Sequence, residues 1–329
     1  MKQVTGESMP QCIVTGAAGF IGSHVVDRLL DHGHAVIGVD NFVRGKRRHL
    51  AQAMANPDFM LLDVDCADSR AMIERIGPHV DTERFDTVWH LAANSDIAAG
   101  VDDSRIDLRD TFMTTFAALD MMKGLGLKRI AFSSSSAIYG AHDLPIREDH
   151  GPLMPASNYG AMKLAGEAII SAATESFVET AWLFRFPNVV GRRGTHGVIF
   201  DLLHKLQKSP TALEVLGDGN QCKPYLHVDD IVDAMWFIWT HAGERMNFYN
   251  IGPADTGASV RFIAEEVLRV ADSPVGLEFT GGDRGWTGDI PRFSYDTGKL
   301  QDLGWSAARS SQDAVRMAVR ELFEELNRP

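Results

Sequence analysis

The chain has 329 residues, of which 45% are hydrophobic and 23% charged, and its formal net charge is −12. These fractions are typical of a globular protein with a large buried core, and the length allows two domains. The negative charge argues against a nucleic-acid-binding protein, because such a protein needs a basic face to neutralise phosphates.

The cysteines Cys12, Cys66 and Cys222 lie far apart and show no CxxC spacing. This pattern predicts free thiols in a reducing compartment, not a disulfide or a metal site. The first ten residues lack the apolar stretch of a signal peptide, and no apolar run is long enough to cross a bilayer. We therefore expect a cytoplasmic protein. No metal is expected either, since the histidines show no metal-ligand spacing.

Short apolar segments alternate with helical stretches in the first half of the chain. Strands are expected at 11–15, 35–39, 59–62, 87–91, 129–132 and 181–186, and helices at 20–32, 103–123 and 157–177. This alternation predicts an α/β fold with a doubly wound parallel sheet. We assign 1–187 to this domain, with segments near 225–250 returning to it. Residues 188–329, richer in Gly and Pro, are expected to form a smaller α+β domain.

A glycine-rich segment, Thr-Gly-Ala-Ala-Gly-Phe-Ile-Gly, occupies positions 15–22 between the first strand and the first helix. Gly16 permits a tight turn, Gly19 lets the backbone approach a pyrophosphate, and Gly22 allows the helix to pack closely. The helix N-terminus contributes its positive dipole. The segment therefore predicts a dinucleotide site, and its Gly-x-x-Gly-x-x-Gly spacing is typical of short-chain dehydrogenases.

Two acidic residues follow the next strands. Asp40 can accept hydrogen bonds from both ribose hydroxyls of an adenosine and would repel a 2′-phosphate, which favours NAD over NADP. Arg44 is close enough in sequence to leave NADP as an alternative. Asp63 is a candidate for binding the adenine amino group, and a helix cap is its alternative role.

Tyr159 and Lys163 are four residues apart at the start of a predicted helix, so both side chains project from one helix face. An ammonium group near a tyrosine favours the phenolate, so we expect a pKa below the usual value near 10. The phenolate would act as a general base toward a hydroxyl that loses a hydride to NAD⁺. Ser135, at the end of a predicted strand, would hydrogen-bond the same oxygen.

The sequence resembles the extended short-chain dehydrogenases that modify nucleotide sugars, and within them the UDP-galactose 4-epimerases of the archaeal-like type. The matching motifs lie at 15–24, 39–41, 90–93, 132–140, 159–163, 185–191, 217–219, 225–228 and 285–289. The resemblance implies a Rossmann fold for the first domain and NAD as cofactor. It also implies a nucleotide-diphosphate sugar, preferably a UDP-hexose, as substrate of the second domain, and a homodimer formed through 103–123 and 157–177.

The resemblance also assigns binding residues. Those implied for NAD are Gly16, Gly19, Phe20, Ile21, Gly22, Asp40, Asn41, Asp63, Val64, Leu91, Ala92, Ala93, Tyr159, Lys163 and Pro187. Those implied for the substrate are Ser135, Asn188, His196, Lys223, Arg284, Asp289 and Phe293. Lys223 and Arg284 suit phosphate contacts by their charge. Phe293 aligns with a gate position at which a bulky residue goes with unacetylated hexoses.

The position of Ala137 separates the reactions that start from oxidation at sugar C4. Related 4,6-dehydratases, decarboxylases and 3,5-epimerases carry an acid or a cysteine there, and elimination or a second epimerisation needs such a group. Ala137 therefore favours 4-epimerisation. A 2-epimerase, a 4-reductase, a dehydratase and a non-catalytic NAD-binding regulatory protein remain alternatives. Asp110, where relatives carry asparagine near the cofactor ribose, and Asn94 depart from the family pattern.

Overall fold

The computed structural model describes residues 9–142, 144–208, 211–282, 290 and 292–327. The first part contains β1 (Gln11–Thr15), α1 (Phe20–Asp31), β2 (Ala35–Asp40), β3 (Phe59–Asp63), α2 (Ser69–Ile76), β4 (Phe85–His90), α3 (Ile97–Asp102), α4 (Ser104–Asp107), α5 (Thr114–Leu125), β5 (Arg129–Ser135), α6 (Asn158–Thr174) and β6 (Thr180–Phe186). A π-helical segment, Leu108–Met113, joins α4 to α5.

The remaining elements are shorter on average. They are β7 (Asn188–Val190), α7 (Val198–Lys208), β8 (Ala212–Val215), β9 (Cys222–Lys223), β10 (Tyr225–His227), α8 (Val228–His241), β11 (Met246–Asn250), β12 (Ala258–Ser259), α9 (Val260–Val270), β13 (Gly276–Phe279), α10 (Gly298–Leu303) and α11 (Ser311–Asn327).

Among the described residues, seven parallel strands form the central sheet in the order β11-β6-β5-β4-β1-β2-β3. The strand order reverses between β1 and β4, which is the switch point where ligands bind at the carboxyl ends of the strands in such sheets. The predicted doubly wound α/β fold is confirmed. The chain leaves the sheet after β6 and returns to it at β11.

Alternation along the strands explains why both faces of the sheet are covered. Cys12 and Val14 of β1 point into one core, which α1 and α8 cover, whereas Ile13 points into the opposite core against α2, α5 and α6. Successive strand residues face opposite sides, so a strand that is buried on both faces is apolar throughout. The sheet is thus a rigid support for the loops at its carboxyl end.

A separate hydrophobic core lies among the later elements. It contains Ile199 of α7, Val215 of β8, Ile263 of α9 and Val319 of α11. In the part of the chain that the structure describes, three two-stranded sheets lie around it, pairing β10 with β7, β12 with β9 and β13 with β8. In the described part of the chain, no helix is both long and apolar enough to cross a membrane. The three cysteines are free.

Candidate active site at the carboxyl end of the sheet

The glycine-rich turn after β1 is packed so tightly that side chains would not fit. Gly16 has φ of +68°, and a Cβ on Gly22 would lie 2.0 Å from the Gly16 carbonyl oxygen. Gly19 precedes α1, and no described side chain caps this helix, whereas Asp68, Ser157 and Ser259 cap α2, α6 and α9. The first amides of α1 are therefore available to a pyrophosphate group.

Replacing Gly22 with alanine is expected to weaken NAD binding, because the new methyl group would force α1 away from the turn. Overpacking of this kind costs about 1–3 kcal/mol. The NAD content of the purified protein, measured after gel filtration, tests the expectation. Gly243→Ala is the matched control, since a Cβ there meets no atom within 4 Å. Equal NAD content in both variants would contradict this role for Gly22.

Asp40 is fixed beside the glycine-rich turn. Its Oδ2 accepts a hydrogen bond of 2.9 Å from the Ala18 amide and its Oδ1 one of 2.8 Å from the Phe42 amide. The carboxylate is only 6% exposed, and burial raises its pKa. Arg44 also lines the cleft, but its guanidinium lies 3.0 Å from the Asp96 carboxylate. Asp96 thus pairs with the positive charge of Arg44, which the 2′-phosphate of NADP would need as its partner.

The structure does not bring Asp63 or Val64 to the wall of the cleft. The Asp63 side chain is 60% exposed and lies 3.0 Å from Arg47, while Val64 is buried in the core beneath the sheet. Asp65, which the sequence did not single out, lines the cleft instead. Asp63 ends β3 and Asp65 lies in the loop that follows it, so the strand pattern does not show which carboxylate faces the cleft.

Asp110 lines the cleft as well, and its charge has a partner. Arg109 contacts both Asp110 and Asp65 through its two terminal nitrogens. These residues belong to, or contact, the π-helical segment that precedes α5. The arginine compensates the extra negative charge, so Asp110 does not present an unpaired carboxylate to a cofactor.

Helix α6 lies unusually close to β5 and the turn after it. A Cβ on Gly160 would lie 2.2 Å from the Ala137 carbonyl oxygen, and one on Gly166 would lie 2.9 Å from the Phe132 ring. Ser157 caps the helix by accepting a hydrogen bond of 3.1 Å from the Gly160 amide. This packing brings the Tyr159 side chain to Ser135, whose hydroxyl hydrogen-bonds it.

Lys163 lies one turn further along α6 and is 1% exposed. Its Nζ donates to the Ser133 carbonyl oxygen at 2.6 Å and to the Ser133 hydroxyl at 3.3 Å. It lies 5.9 Å from the centre of the Tyr159 ring. Lys163, Tyr159 and Ser135 thus meet at the end of β5, as their sequence positions suggested.

The expectation of a lowered tyrosine pKa was wrong for this structure. Burial raises the pKa of Tyr159 to about 12, and the Ser135 hydrogen bond opposes this increase. Burial also lowers the pKa of Lys163 to about 7, although Glu167 opposes that decrease. Near neutral pH the lysine therefore carries only part of its positive charge, which limits its effect on the phenol.

A cleft of about 1210 Å³ connects the switch point with the later part of the chain. Of the residues implied for NAD, it is lined by Gly16, Gly19, Phe20, Ile21, Gly22, Asp40, Asn41, Leu91, Ala92, Ala93, Tyr159, Lys163 and Pro187. Of those implied for a substrate, it is lined by Ser135, Asn188, His196, Lys223 and Phe293. Arg284 and Asp289 lie outside the described residues.

The residues implied for substrate binding differ in how many contacts fix their side chains. Asn188 donates a hydrogen bond of 3.3 Å to the Pro224 carbonyl oxygen, and Phe293 packs edge-on against Tyr295 at 5.5 Å. His196 is exposed at the cleft wall.

His90 is fully buried between Thr15 and Thr115, and burial lowers its pKa to about 3, so it is a neutral packing histidine. Among the described residues, no acidic, histidine and cysteine side chains are grouped to hold a metal ion.

Comparison with known proteins agrees with this geometry. The sequence pattern of the NAD dependent epimerase/dehydratase family matches residues 12–252. The chain belongs to this family. The prediction of an extended short-chain dehydrogenase of the epimerase type is confirmed, and so is NAD as the cofactor.

Individual members of the family resemble the chain over nearly its whole length. A UDP-glucose 4-epimerase of Mycolicibacterium smegmatis is 30% identical over 93% of this chain and 96% of its own. A putative UDP-glucose 4-epimerase of Methanocaldococcus jannaschii is 28% identical, again over 93% and 96%. A GDP-mannose 3,5-epimerase 1 of Oryza sativa subsp. indica is 27% identical over 96% and 82%.

Solved structures of the family share the fold. The crystal structure of a UDP-galactose 4-epimerase has a TM-score of 0.84 at 32% identity and covers 96% of this chain and 99% of its own. The Thermus thermophilus UDP-glucose 4-epimerase in complex with NAD has a TM-score of 0.81 at 26% identity, covering 94% and 98%. Membership of this family therefore agrees with the glycine-rich turn, Asp40 and the Tyr159–Lys163 pair.

Proposed function

We propose that the protein is a nucleotide-sugar 4-epimerase that interconverts UDP-glucose and UDP-galactose. The observation that carries this proposal is Ala137, which lines the cleft two residues after Ser135. A methyl group at this position supplies neither the acid nor the thiol that elimination or 3,5-epimerisation needs. What the site retains is the machinery for oxidising one hydroxyl and reducing the resulting ketone.

NAD supplies the hydride acceptor and, in its reduced form, the hydride donor. In its phenolate form, Tyr159 takes the proton from the sugar C4 hydroxyl as the C4 hydride leaves, and Ser135 donates a hydrogen bond to the same oxygen. Burial raises the pKa of the phenol in the free protein, and the positive charge of bound NAD⁺ would favour the phenolate. Lys163 donates hydrogen bonds to Ser133 at the end of β5 and so fixes this wall of the cleft beside Tyr159. If the 4-keto sugar rotates in the cleft, reduced NAD would supply the hydride to the opposite face of C4, and Tyr159 would return the proton to the C4 oxygen. The substrate would undergo no net oxidation, so NAD would not be consumed.

The substrate half of the cleft supports a diphosphate sugar. Lys223 and Asn188 line it, and a cation with an amide suits phosphate oxygens. Phe293 is 9% exposed and belongs to a compact cluster with Tyr139 and Tyr295, so it narrows the sugar end of the cleft. This favours hexoses without an N-acetyl group. The named 4-epimerase relatives act on UDP sugars, which supports uridine as the base.

The direct test is incubation with UDP-galactose without added cofactor, followed by NMR of the anomeric protons. We expect UDP-glucose to accumulate to equilibrium. A Ser135→Ala variant should retain NAD but turn over more slowly. If no UDP-glucose forms, the proposed reaction is wrong for UDP sugars, and a panel of GDP, CDP and dTDP sugars would identify the nucleotide.

We further propose a homodimer in which α5, α6 and their preceding segments pair with a second copy. Leu108 and Phe116 are exposed by 46% and 50%, so this region presents apolar side chains to solvent. Sedimentation equilibrium tests the proposal, and a strictly monomeric protein would refute it.

A further inference from the structure

An ion pair joins two walls of the cleft. The Arg44 guanidinium lies 3.0 Å from the Asp96 carboxylate, and both residues line the cleft. Arg44 belongs to the loop after β2, and Asp96 belongs to the loop after β4. In the sheet, β1 lies between these two strands. The pair therefore spans the carboxyl end of β1, at which the glycine-rich turn begins.

The loop that carries Arg44 is anchored to the glycine-rich turn. The Lys46 amide donates a hydrogen bond of 3.0 Å to the carbonyl oxygen of Ala18, a residue of the turn. A Cβ on Gly45 would lie 2.7 Å from an oxygen of the Asp40 carboxylate, so the loop passes close to the residue assigned to the adenosine ribose. The backbone of Arg44 is thus held beside the cofactor site.

The backbone of Asp96 is held as well. Its amide donates a hydrogen bond of 3.0 Å to the side-chain oxygen of Asn94, whose side-chain nitrogen donates one of 2.8 Å to the Asp96 carbonyl oxygen. Oδ1 of Asp96 caps α3 by accepting a hydrogen bond of 3.1 Å from the Ala99 amide, whereas Oδ2 contacts Arg44. The Ala99 amide and the Arg44 guanidinium hold the pKa of Asp96 below its ordinary value, so the carboxylate is charged at neutral pH.

The position of the contact indicates what it can do. Both backbones are held, so rotation of the two side chains is enough to open the contact. A dinucleotide whose pyrophosphate lies on the glycine-rich turn has to pass it in order to leave. The side chains are 42% and 40% exposed, so the contact lies at the mouth of the cleft. Exposed ion pairs are weak, and this one would therefore slow the passage of a cofactor without blocking it.

We propose that the Arg44–Asp96 pair closes over the pyrophosphate of bound NAD and slows its release from the cleft. Arg44 thereby retains the cofactor, a role that differs from the contact with a 2′-phosphate. The proposal concerns the cofactor alone, so it does not depend on which sugar is the substrate. Retention suits a reaction that does not consume NAD, because one bound molecule then serves successive turnovers.

The test measures how fast the loaded protein releases radiolabelled NAD during a chase with excess unlabelled NAD. Arg44→Ala and Asp96→Asn should each release the label about three- to fivefold faster, as expected for the loss of one exposed ion pair. Asp96→Asn keeps the cap of α3, because asparagine caps a helix as well as aspartate does. The double variant should be no faster than either single variant, because both substitutions remove the same contact. Added salt should accelerate release from the wild type more than from the variants.

Asp103→Asn is the matched control. Asp103 also caps a helix, α4, and also pairs with an arginine, Arg105, at 2.9 Å, but neither residue lines the cleft. This variant should release NAD at the wild-type rate. The thermal midpoints of Asp96→Asn and Asp103→Asn at saturating NAD should be similar, because each variant loses one exposed ion pair and keeps its cap. Faster release together with a much lower midpoint for Asp96→Asn would overturn the inference, because the loop after β4 would then have lost its structure.

Three other results would overturn the inference. Wild-type release rates in both single variants would show that the pair does not restrict the cofactor. Faster release from Arg44→Ala with unchanged or slower release from Asp96→Asn would mean that Arg44 acts on the pyrophosphate directly. Additive effects in the double variant would mean that the two residues act independently. The assay contains no sugar nucleotide, so a failure of the proposed epimerisation would leave its result unchanged.

Discussion

The Tyr159→Phe variant is expected to lose about 10²- to 10⁴-fold in kcat while it keeps its NAD, because the phenol hydroxyl is the group that moves the proton. The ring remains in place, so the packing of α6 against β5 should not change. Turnover of UDP-galactose and NAD content per protein chain are the two measurements. Loss of turnover with NAD retained separates a chemical role from a role in binding.

Tyr249→Phe provides the matched control, since Tyr249 is a buried tyrosine of β11 that does not line the cleft. This variant should keep wild-type turnover. A Tyr159→Phe variant with full activity would show that another group transfers the proton, and the assignment of the Tyr159–Lys163 pair would then be wrong.

Glu167→Ala is expected to destabilise the fold by about 3–5 kcal/mol, because it leaves the Arg185 charge buried without its partner. Glu167 and Arg185 are each 7% exposed at the side chain and lie 2.7 Å apart. Glu167 also accepts hydrogen bonds from Ser134 and from the Arg185 Nε at 3.0 Å. The pair therefore ties α6 to the ends of β5 and β6. Urea unfolding measures the change in free energy.

Glu179→Ala is the control for this prediction. Glu179 lies 2.7 Å from Lys128, but both side chains are more than half exposed, at 63% and 56%. Exposed ion pairs contribute about 0–1 kcal/mol. Similar small losses for the two variants, measured at equal NAD saturation, would mean that the buried pair does not hold α6 in place.

The parts of the fold that the sequence predicted correctly are those with strong local signals. β1, the glycine-rich turn and α1 form one uninterrupted pattern, and each strand from β1 to β6 is apolar enough to stand out. Tyr159 and Lys163 were found because a helix places residues four apart on one face. The family resemblance then predicted NAD as the cofactor. The match of residues 12–252 to the NAD dependent epimerase/dehydratase family confirms this prediction.

Other properties depend on contacts that no local pattern contains. Desolvation raises the pKa of Tyr159, which lines the cleft, and the helix spacing alone gave the wrong direction. Whether Asp63 or Asp65 faces the cleft depends on how the chain turns after β3. The strands β7, β9, β10 and β12 have only two or three residues each, too few for a periodic signal.

The Arg44–Asp96 pair and the Arg109 contacts show the same limit. Arg44 and Asp96 belong to different loops and are 52 positions apart, so only three-dimensional packing shows that they meet at the cleft. Arg109 compensates Asp110 because the π-helical segment places both next to Asp65. The sequence showed the departure at Asp110 but not the charge that balances it.

The most direct test of the proposed reaction is to convert UDP-[4-²H]galactose in ordinary water and to follow the label by NMR and mass spectrometry. Transfer of the C4 hydride to NAD and back predicts UDP-glucose that retains deuterium at C4, with no label lost to solvent. UDP-glucose that carries protium at C4 would contradict the account, because it would mean that the C4 hydrogen left as a proton.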